Sequence, residues 1–311
     1  MATTPLPQSR PRVAIPDPRP QPAPHQVLLA LQPTKEPAAY AVRSEWTEFV
    51  AGDRRLSRLT RTVDLRVAAC PGGWQLALHT EALALDGPDP SAFDEIGRLV
   101  GGLYADLVLD LAPTGAPLAL GNHAAIRAAW PPVRQALRQR YPAPSTMLDE
   151  LEAAVDRRLA RPAGLWPSLA LDYLYAALPG DFYQQAFDTG QQYTAPRAFP
   201  EFFDGLGLYF RETLRLAPPD PAAPDRTRLH LTGTPDPAGP DADGAAAAAR
   251  VAAALDTAAV APAEVRRTYA ATHEFARSTG LPTAVELTVR CTYRDLYCKE
   301  YHLTITPILP L

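Results

Sequence analysis

Lysine is nearly absent from this chain: Lys35 and Lys299 are the two exceptions among 30 basic residues, and all the others are arginine. The formal charge is −4, so there is no basic excess of the kind nucleic-acid binding requires, and no acidic block marks a solvated tail. Net charge therefore names no partner. Cysteine is scarce as well. Cys70, Cys291 and Cys298 are a small, odd set, as expected where thiols stay reduced. No window offers the roughly 18 unbroken apolar residues of a membrane helix, and residues 1–26 lack the basic start and apolar core of a secretory leader. Together these absences predict a cytoplasmic protein with no membrane span.

Signature motifs are missing too. The chain contains no G-x-x-x-x-G-K-[ST], no G-x-G-x-x-G after a strand, no G-x-S-x-G and no H-E-x-x-H, which argues against the families that need those phosphate, dinucleotide, acyl-transfer and zinc sites. No cofactor and no metal are expected.

What is present is apolar surface. Apolar residues make up 47% of 311 positions, enough to bury a core in one large domain or two ordinary ones. Proline, 35 residues, and glycine, 18, together make up about 17% of the chain, below the roughly 25–30% of a low-complexity chain. The bias to arginine, alanine and proline is what a GC-rich bacterial genome produces.

Residues 1–26 carry eight prolines and almost no large apolar side chain, so they read as an extended arm, either free or a strap that orders on a partner. Residues 27–121 read as strands followed by a helix. Tyr40, Val42, Trp46 and Val50 share one strand face, and Leu59, Val63, Leu65 and Val67 share another. Ser91 is placed as a helix cap ahead of the stripe Phe93, Ile96, Val100 and Leu103. Residues 122–180 read as a helical bridge, with Asn122 and Ser145 or Thr146 as caps, a break at Pro131-Pro132, and a third helix over 168–178. Residues 181–311 return to strands, with an alanine helix at 245–255.

An internal repeat is the strongest single signal. Residues 104–117, YADLVLDLAPTGAP, and residues 269–282, YAATHEFARSTGLP, agree at Tyr-Ala, Thr-Gly and Pro with a constant offset of 165. Leu78-His79 and Leu229-His230 each stand in the strand before the preceding helix. The expected fold is therefore α+β: two similar antiparallel curved sheets, each covered by a helix and joined by the helical segment.

Candidate functional residues are few. His79 and Glu81 share one strand face, a pairing suited to acid–base chemistry and equally to a solvated surface. His123 follows Gly121-Asn122 at a helix start, where free N–H groups favour a ligand contact or simple capping. His273 and Glu274 are adjacent on a strand and point to opposite faces. Cys291 and Cys298 fall opposite each other if Arg294-Asp295 is a two-residue hairpin turn, which brings them within reach of a bond. Aromatic residues gather between 166 and 210, and Phe182, Tyr183, Phe199, Phe202 and Phe203 form either a core or an exposed surface for another protein. The leading expectation is a non-catalytic interaction or scaffold protein whose partners are other proteins. The alternatives are a carrier of an apolar small molecule or lipid between sheet and helix, and a hydrolase using His79 and Glu81.

Overall fold

A computed structural model describes residues 12–16, 25–86, 92–162, 165, 169, 172–178, 180–203 and 205–308. In chain order the elements are β1 (Val13–Pro16), β2 (Gln26–Leu28), β3 (Ala38–Val50), β4 (Asp53–Cys70), β5 (Gly73–Asp86), α1 (Ala92–Gly101), β6 (Asp106–Leu111) and β7 (Pro117–Leu120). Then come α2 (His123–Arg140), α3 (Thr146–Leu159), α4 (Leu174–Ala177), β8 (Ala186–Asp188), β9 (Gln191–Phe203), β10 (Leu206–Leu216) and β11 (Arg226–Pro235). The chain closes with α5 (Ala245–Ala254), β12 (Val265–Ala276), β13 (Pro282–Tyr293) and β14 (Tyr297–Pro307).

The expected pair of sheets is a single one. Twelve strands run in the order β1-β9-β10-β11-β12-β13-β14-β3-β4-β5-β6-β7, and β2 and β8 form a separate pair. The strand that joins the halves is β14, which pairs antiparallel with β13 on one side and with β3 on the other, Tyr301 lying opposite both Val289 and Trp46. Joining the halves this way pairs two strand edges that separate sheets would each have left open. Alternation along a strand shows which face is dry and says nothing of which strand lies beside it.

The sheet curls around its dry face. Trp46 on β3 and Phe202 on β9, six places apart in the strand order, bring their rings to 5.5 Å across the interior. The space between is filled by the chain that follows α3. Tyr173, just before α4, packs on Trp46, Phe199 and Tyr301 at 4.8–6.0 Å and donates its hydroxyl hydrogen to the Pro200 carbonyl. Asp172 beside it holds Arg61 of β4 through contacts of 2.6 and 2.7 Å.

One mouth of this curled sheet is closed. Residues 25–34 cross it, bonding successively to Thr189, Gln184, Thr279 and Val67. Tyr183 joins the two Thr-Gly turns there: its N–H donates to Thr114 O at 3.1 Å and its hydroxyl to Gly280 O at 2.9 Å. The β5–β6 and β11–β12 connections, which carry α1 and α5, lie at the opposite mouth.

α2 buries Ile126, Trp130 and Leu137, α3 buries Leu148, Val155 and Leu159, and Ser145 Oγ accepts from the Leu148 N–H. α2 runs unbroken through Pro131 and Pro132. Asn122 does not cap it; its amide instead binds the Val108 N–H and the Asp106 carbonyl, tying the helix start to β6. Of the helix expected over 168–178, the described residues show α4 and a helical Leu169. The Ser91 cap lies outside the described residues.

The element order strand-strand-strand-helix-strand-strand occurs twice, as β3 to β7 around α1 and as β9 to β13 around α5. The paired Leu-His dipeptides do not correspond, however. Leu78 lies opposite Leu107, whereas His230 lies opposite Thr272, and Leu107 and Thr272 are 165 residues apart. His230 therefore matches Leu78 and not His79.

Candidate functional site

The inner face of β10 carries Leu206, Leu208, Phe210, Glu212, Leu214 and Leu216, so alternation alone drives one carboxylate into the core. Glu212 is fully buried and draws three partners. Arg12, entering from the start of β1, pairs with it directly; Arg197 of β9 reaches it at 3.1 Å; and Tyr269 of β12 donates its hydroxyl hydrogen at 2.9 Å. Asp181 completes the set, 3.1 Å from Arg12 and 3.2 Å from Arg197. Phe182 lies under the Arg12 guanidinium at 5.0 Å.

Tyr269 reaches Glu212 across an intervening strand because that strand offers no side chain. Gly233 of β11 stands opposite both residues in the ladder, and a Cβ there would fall 2.8 Å from the Tyr269 ring. Burial raises the Asp181 and Glu212 carboxyls, and the arginine charges beside them overcome it, holding both below the usual carboxylate range. His273, which packs on Phe182 and Phe275, is pushed down to about 3 by burial and is neutral at pH 7. Two guanidinium cations thus face two carboxylates, a balanced buried network.

The open mouth holds a different site. Between β3, β4, β9 and β14 lies a cavity of about 310 Å³ lined by Trp46, Glu48, Arg55, Ser57, Phe202 and Lys299. It continues past Glu48 and Arg55 toward Val50, Asp53 and Ala254 of α5. The Lys299 ammonium sits 5.9 Å from the Trp46 ring centroid, 5.6 Å from that of Phe203 and 3.9 Å from the Glu48 carboxylate. Glu48 also accepts from the Tyr297 hydroxyl at 3.2 Å. Glu201 lines the same cavity from a left-handed backbone, φ +55, where β9 and β10 slip register. Arg55 makes no ion pair or side-chain hydrogen bond with the described residues, so its planar fork faces the cavity unused.

Of the residues singled out from sequence, Phe202 lines this cavity, Phe203 packs on Lys299 and Phe182 lies under Arg12. Phe182, Tyr183, Phe199, Phe202 and Phe203 are each 4% exposed or less, which removes them as a docking surface: they are core, fixed by the inserted chain and the inner face of β9. His79 and Glu81 do come together, with Asp106. His79 Nδ1 is 2.5 Å from Asp106 and Nε2 3.6 Å from Glu81, on the outer face of β5 and β6. The hydrogen bond to Asp106, aided by the nearby carboxylates, raises the His79 pKa, which suits a held cation better than a general base. His123 begins α2 with Nε2 buried and unbonded among the described residues.

The cysteine pairing fails on register. The β13–β14 hairpin loop has three residues, Tyr293 facing Tyr297, so Thr292 and not Cys291 lies opposite Cys298. One residue of slip sends the two thiols to opposite faces. Cys291 points inward, where burial pushes it up to about 12, and Cys298 lies outside, accepting from Arg290 Nε at 3.3 Å. Both are free, and no His, Cys, Asp or Glu group among the described residues is arranged to hold a metal ion.

No protein-family model and no curated protein matches the chain. Among solved structures, a porin-like protein from Bacteroides uniformis is 8% identical over 86% of this chain and 96% of that one, with a TM-score of 0.15. At that score the two folds are not shown to be alike. No helix among the described residues is long and apolar enough to cross a membrane.

Proposed function

We propose that this is a non-catalytic binding protein whose open mouth holds a small amphipathic zwitterion, such as an amino acid or short peptide with a planar apolar side chain. The observation that carries the reading is the cavity beside Trp46: Arg55, next to Glu48 in the β3–β4 ladder, has no ion pair or side-chain hydrogen bond among the described residues and lines the cavity together with Glu48, Glu201 and the Trp46 and Phe202 rings. An anionic group would take the Arg55 fork, a cationic group the two glutamates, and the apolar body the Trp46 and Phe202 side chains. The site lies between strands, and only its extension reaches a helix, at Ala254; its lining is charged, so a purely apolar ligand fits it poorly.

The test is a calorimetric titration of zwitterionic, anionic and apolar probes, read also by Trp46 emission. Binding of the zwitterions that falls tenfold or more in Arg55→Ala, and is unchanged in the neighbouring outer-face variant Arg54→Ala, supports the reading. Equal binding by both variants, or no binding, removes it. We also read the two strand-and-helix passages as copies of one ancestral unit, and place the protein in the cytoplasm, where its free thiols stay reduced. The interaction reading has its support at the sheet edge formed by β1.

A further inference from the structure

Three charged side chains stand in one row across the open mouth. Lys299 of β14 lies opposite Glu48 of β3, Glu48 lies opposite Arg55 of β4, and all three line the cavity. Neighbouring strands are about 4.8 Å apart, so the row alternates cation, anion and cation at that repeat. The next row, one step deeper from the β3–β4 turn, is Tyr301, Trp46 and Ser57. A ligand seated on the charges therefore has rings on its inner side.

One carboxylate in this row faces two cations. Glu48 is 3.9 Å from the Lys299 ammonium, which donates no hydrogen bond among the described residues, and Arg55 has no partner among them. Neither of the other carboxylates at the mouth reaches these cations. Glu201, on β9, has one oxygen on the Gly205 N–H at 2.7 Å, and Asp53 lines the extension toward α5 rather than this cavity. The unused donors of Lys299 and Arg55 are thus left to a ligand, one on each side of Glu48.

The complement of cation, anion, cation is anion, cation, anion. A simple zwitterion supplies one charge of each sign and leaves one of the two cations unused. A ligand whose ammonium stands between two carboxylates makes a charge-assisted contact with all three side chains. A dipeptide that begins with an acidic residue has this order: its α-ammonium lies between the side-chain carboxylate and the terminal carboxylate. An aromatic second residue adds a ring for Trp46 and Phe202. The cavity, about 310 Å³, stands at the small end of the roughly 300–1,000 Å³ range of ligand sites, which suits two residues better than a longer peptide.

We infer that the open mouth selects dipeptides with an acidic first residue and an aromatic second one, Glu48 taking the α-ammonium, Lys299 the side-chain carboxylate and Arg55 the terminal carboxylate. This rests on the binding function proposed above and adds to it the order of charges along the ligand and a role for Lys299.

The test is calorimetric titration of the full chain with three dipeptides. They are glutamyl-phenylalanine, its amide counterpart glutaminyl-phenylalanine, and the reversed phenylalanyl-glutamate, equal in composition and charge but with its ammonium outside both carboxylates. The wild-type protein is expected to bind the first about tenfold more tightly than either of the others, the worth of one charge-assisted contact. Lys299→Met keeps the apolar stem that carries the ammonium past Trp46 and Phe203, and is expected to bring the glutamyl peptide down to the affinity of the glutaminyl one. Arg55→Ala is expected to weaken both and keep their ratio. Equal wild-type binding of the glutamyl and glutaminyl peptides, still dependent on Arg55, overturns this inference and leaves the binding function standing. So does a glutamyl preference that survives Lys299→Met, or equal binding of the reversed peptide. Failure of these three and of every other zwitterion to bind removes both.

Discussion

The two halves of the curled sheet present opposite kinds of inner wall. From β4 to β6 the buried inward residues are Val63, Leu65, Val67, Leu76, Leu78, Leu107, Leu109 and Leu111, none more than 3% exposed, with Arg61, held by Asp172, as the one charged side chain buried there among the described residues. From β9 to β12 the matching wall carries Arg197, Glu212, Tyr269 and His273 among its aromatic rings. An aliphatic wall is complete once packed. A charged wall needs its last cation from outside, and it draws Arg12 across from a part of the chain that is otherwise proline-rich. The largest effect is therefore expected where that set is broken. Glu212→Ala strands two arginines around one carboxylate and is expected to cost about 3–5 kcal/mol in denaturant unfolding. Arg12→Met combined with Glu212→Leu removes one charge of each sign and should cost less than Glu212→Ala alone. If the single variant is the milder of the two, the wall is not an integrated network.

On the aliphatic side the expected loss is similar in size but different in kind. Leu109→Ala, at a position with no exposure, leaves a cavity and should cost about 2–5 kcal/mol. That loss should be the same at pH 7 and pH 5 and insensitive to salt. A Leu109→Ala penalty that shrinks in acid would show that the two walls are coupled.

Acid separates the walls further. His273 is neutral when folded, with its pKa at about 3, and binds a proton near 6.5 when unfolded. The unfolded state then holds more protons between those values, so stability falls as pH drops below 6.5, by roughly 3 kcal/mol at pH 4.5. Asp181 and Glu212, whose folded pKa values are depressed, act lower: their contribution is present above the unfolded carboxylate range and is lost as pH falls through the folded values. His273→Phe should flatten the upper part of this profile. His273 Nδ1 has no hydrogen-bond partner among the described residues, so stability at pH 7 should change little. An unaltered slope between pH 6.5 and 4.5 would mean that the imidazole reaches water.

The buried charges of both walls were legible in sequence as gaps in otherwise regular stripes. Leu59, Val63 and Leu65 alternate around Arg61, and Leu208, Phe210 and Leu214 around Glu212; at each interruption the side chain points inward and finds a partner. Strand existence, the dry face, α3 with its Ser145 cap and the alanine helix α5 all follow from local pattern and are present. Neighbour relations do not follow from it. The β14–β3 pairing joins residues about 250 apart in sequence, and the three-residue loop that misplaces Cys298 differs from the two-residue one by a single position. Arg55 and Lys299 meet Trp46 through strands whose adjacency no local signal encodes.

The smallest effect bears on the closed mouth, where the halves are tied together rather than contrasted. Gly52 and Gly280 both adopt left-handed backbone, φ +104 and +71, so alanine at either is strained by about 1 kcal/mol. At Gly52, in the β3–β4 turn, an added Cβ meets nothing within 4 Å. At Gly280 it would fall 2.3 Å from the Ala30 carbonyl oxygen, in the chain that crosses the mouth. Backbone cannot yield as a side-chain tip does, so Gly280→Ala must displace residues 30–31 or lose the Tyr183 hydroxyl bond to Gly280 O. It should cost about 1–3 kcal/mol more than Gly52→Ala in unfolding experiments. It should also raise hydrogen exchange at the Gln32 N–H, which is bonded to Thr279 O. Equal penalties at the two glycines would show that residues 25–34 lie loosely across the mouth and that the halves are joined by β14 and the interior packing around Trp46 and Tyr173.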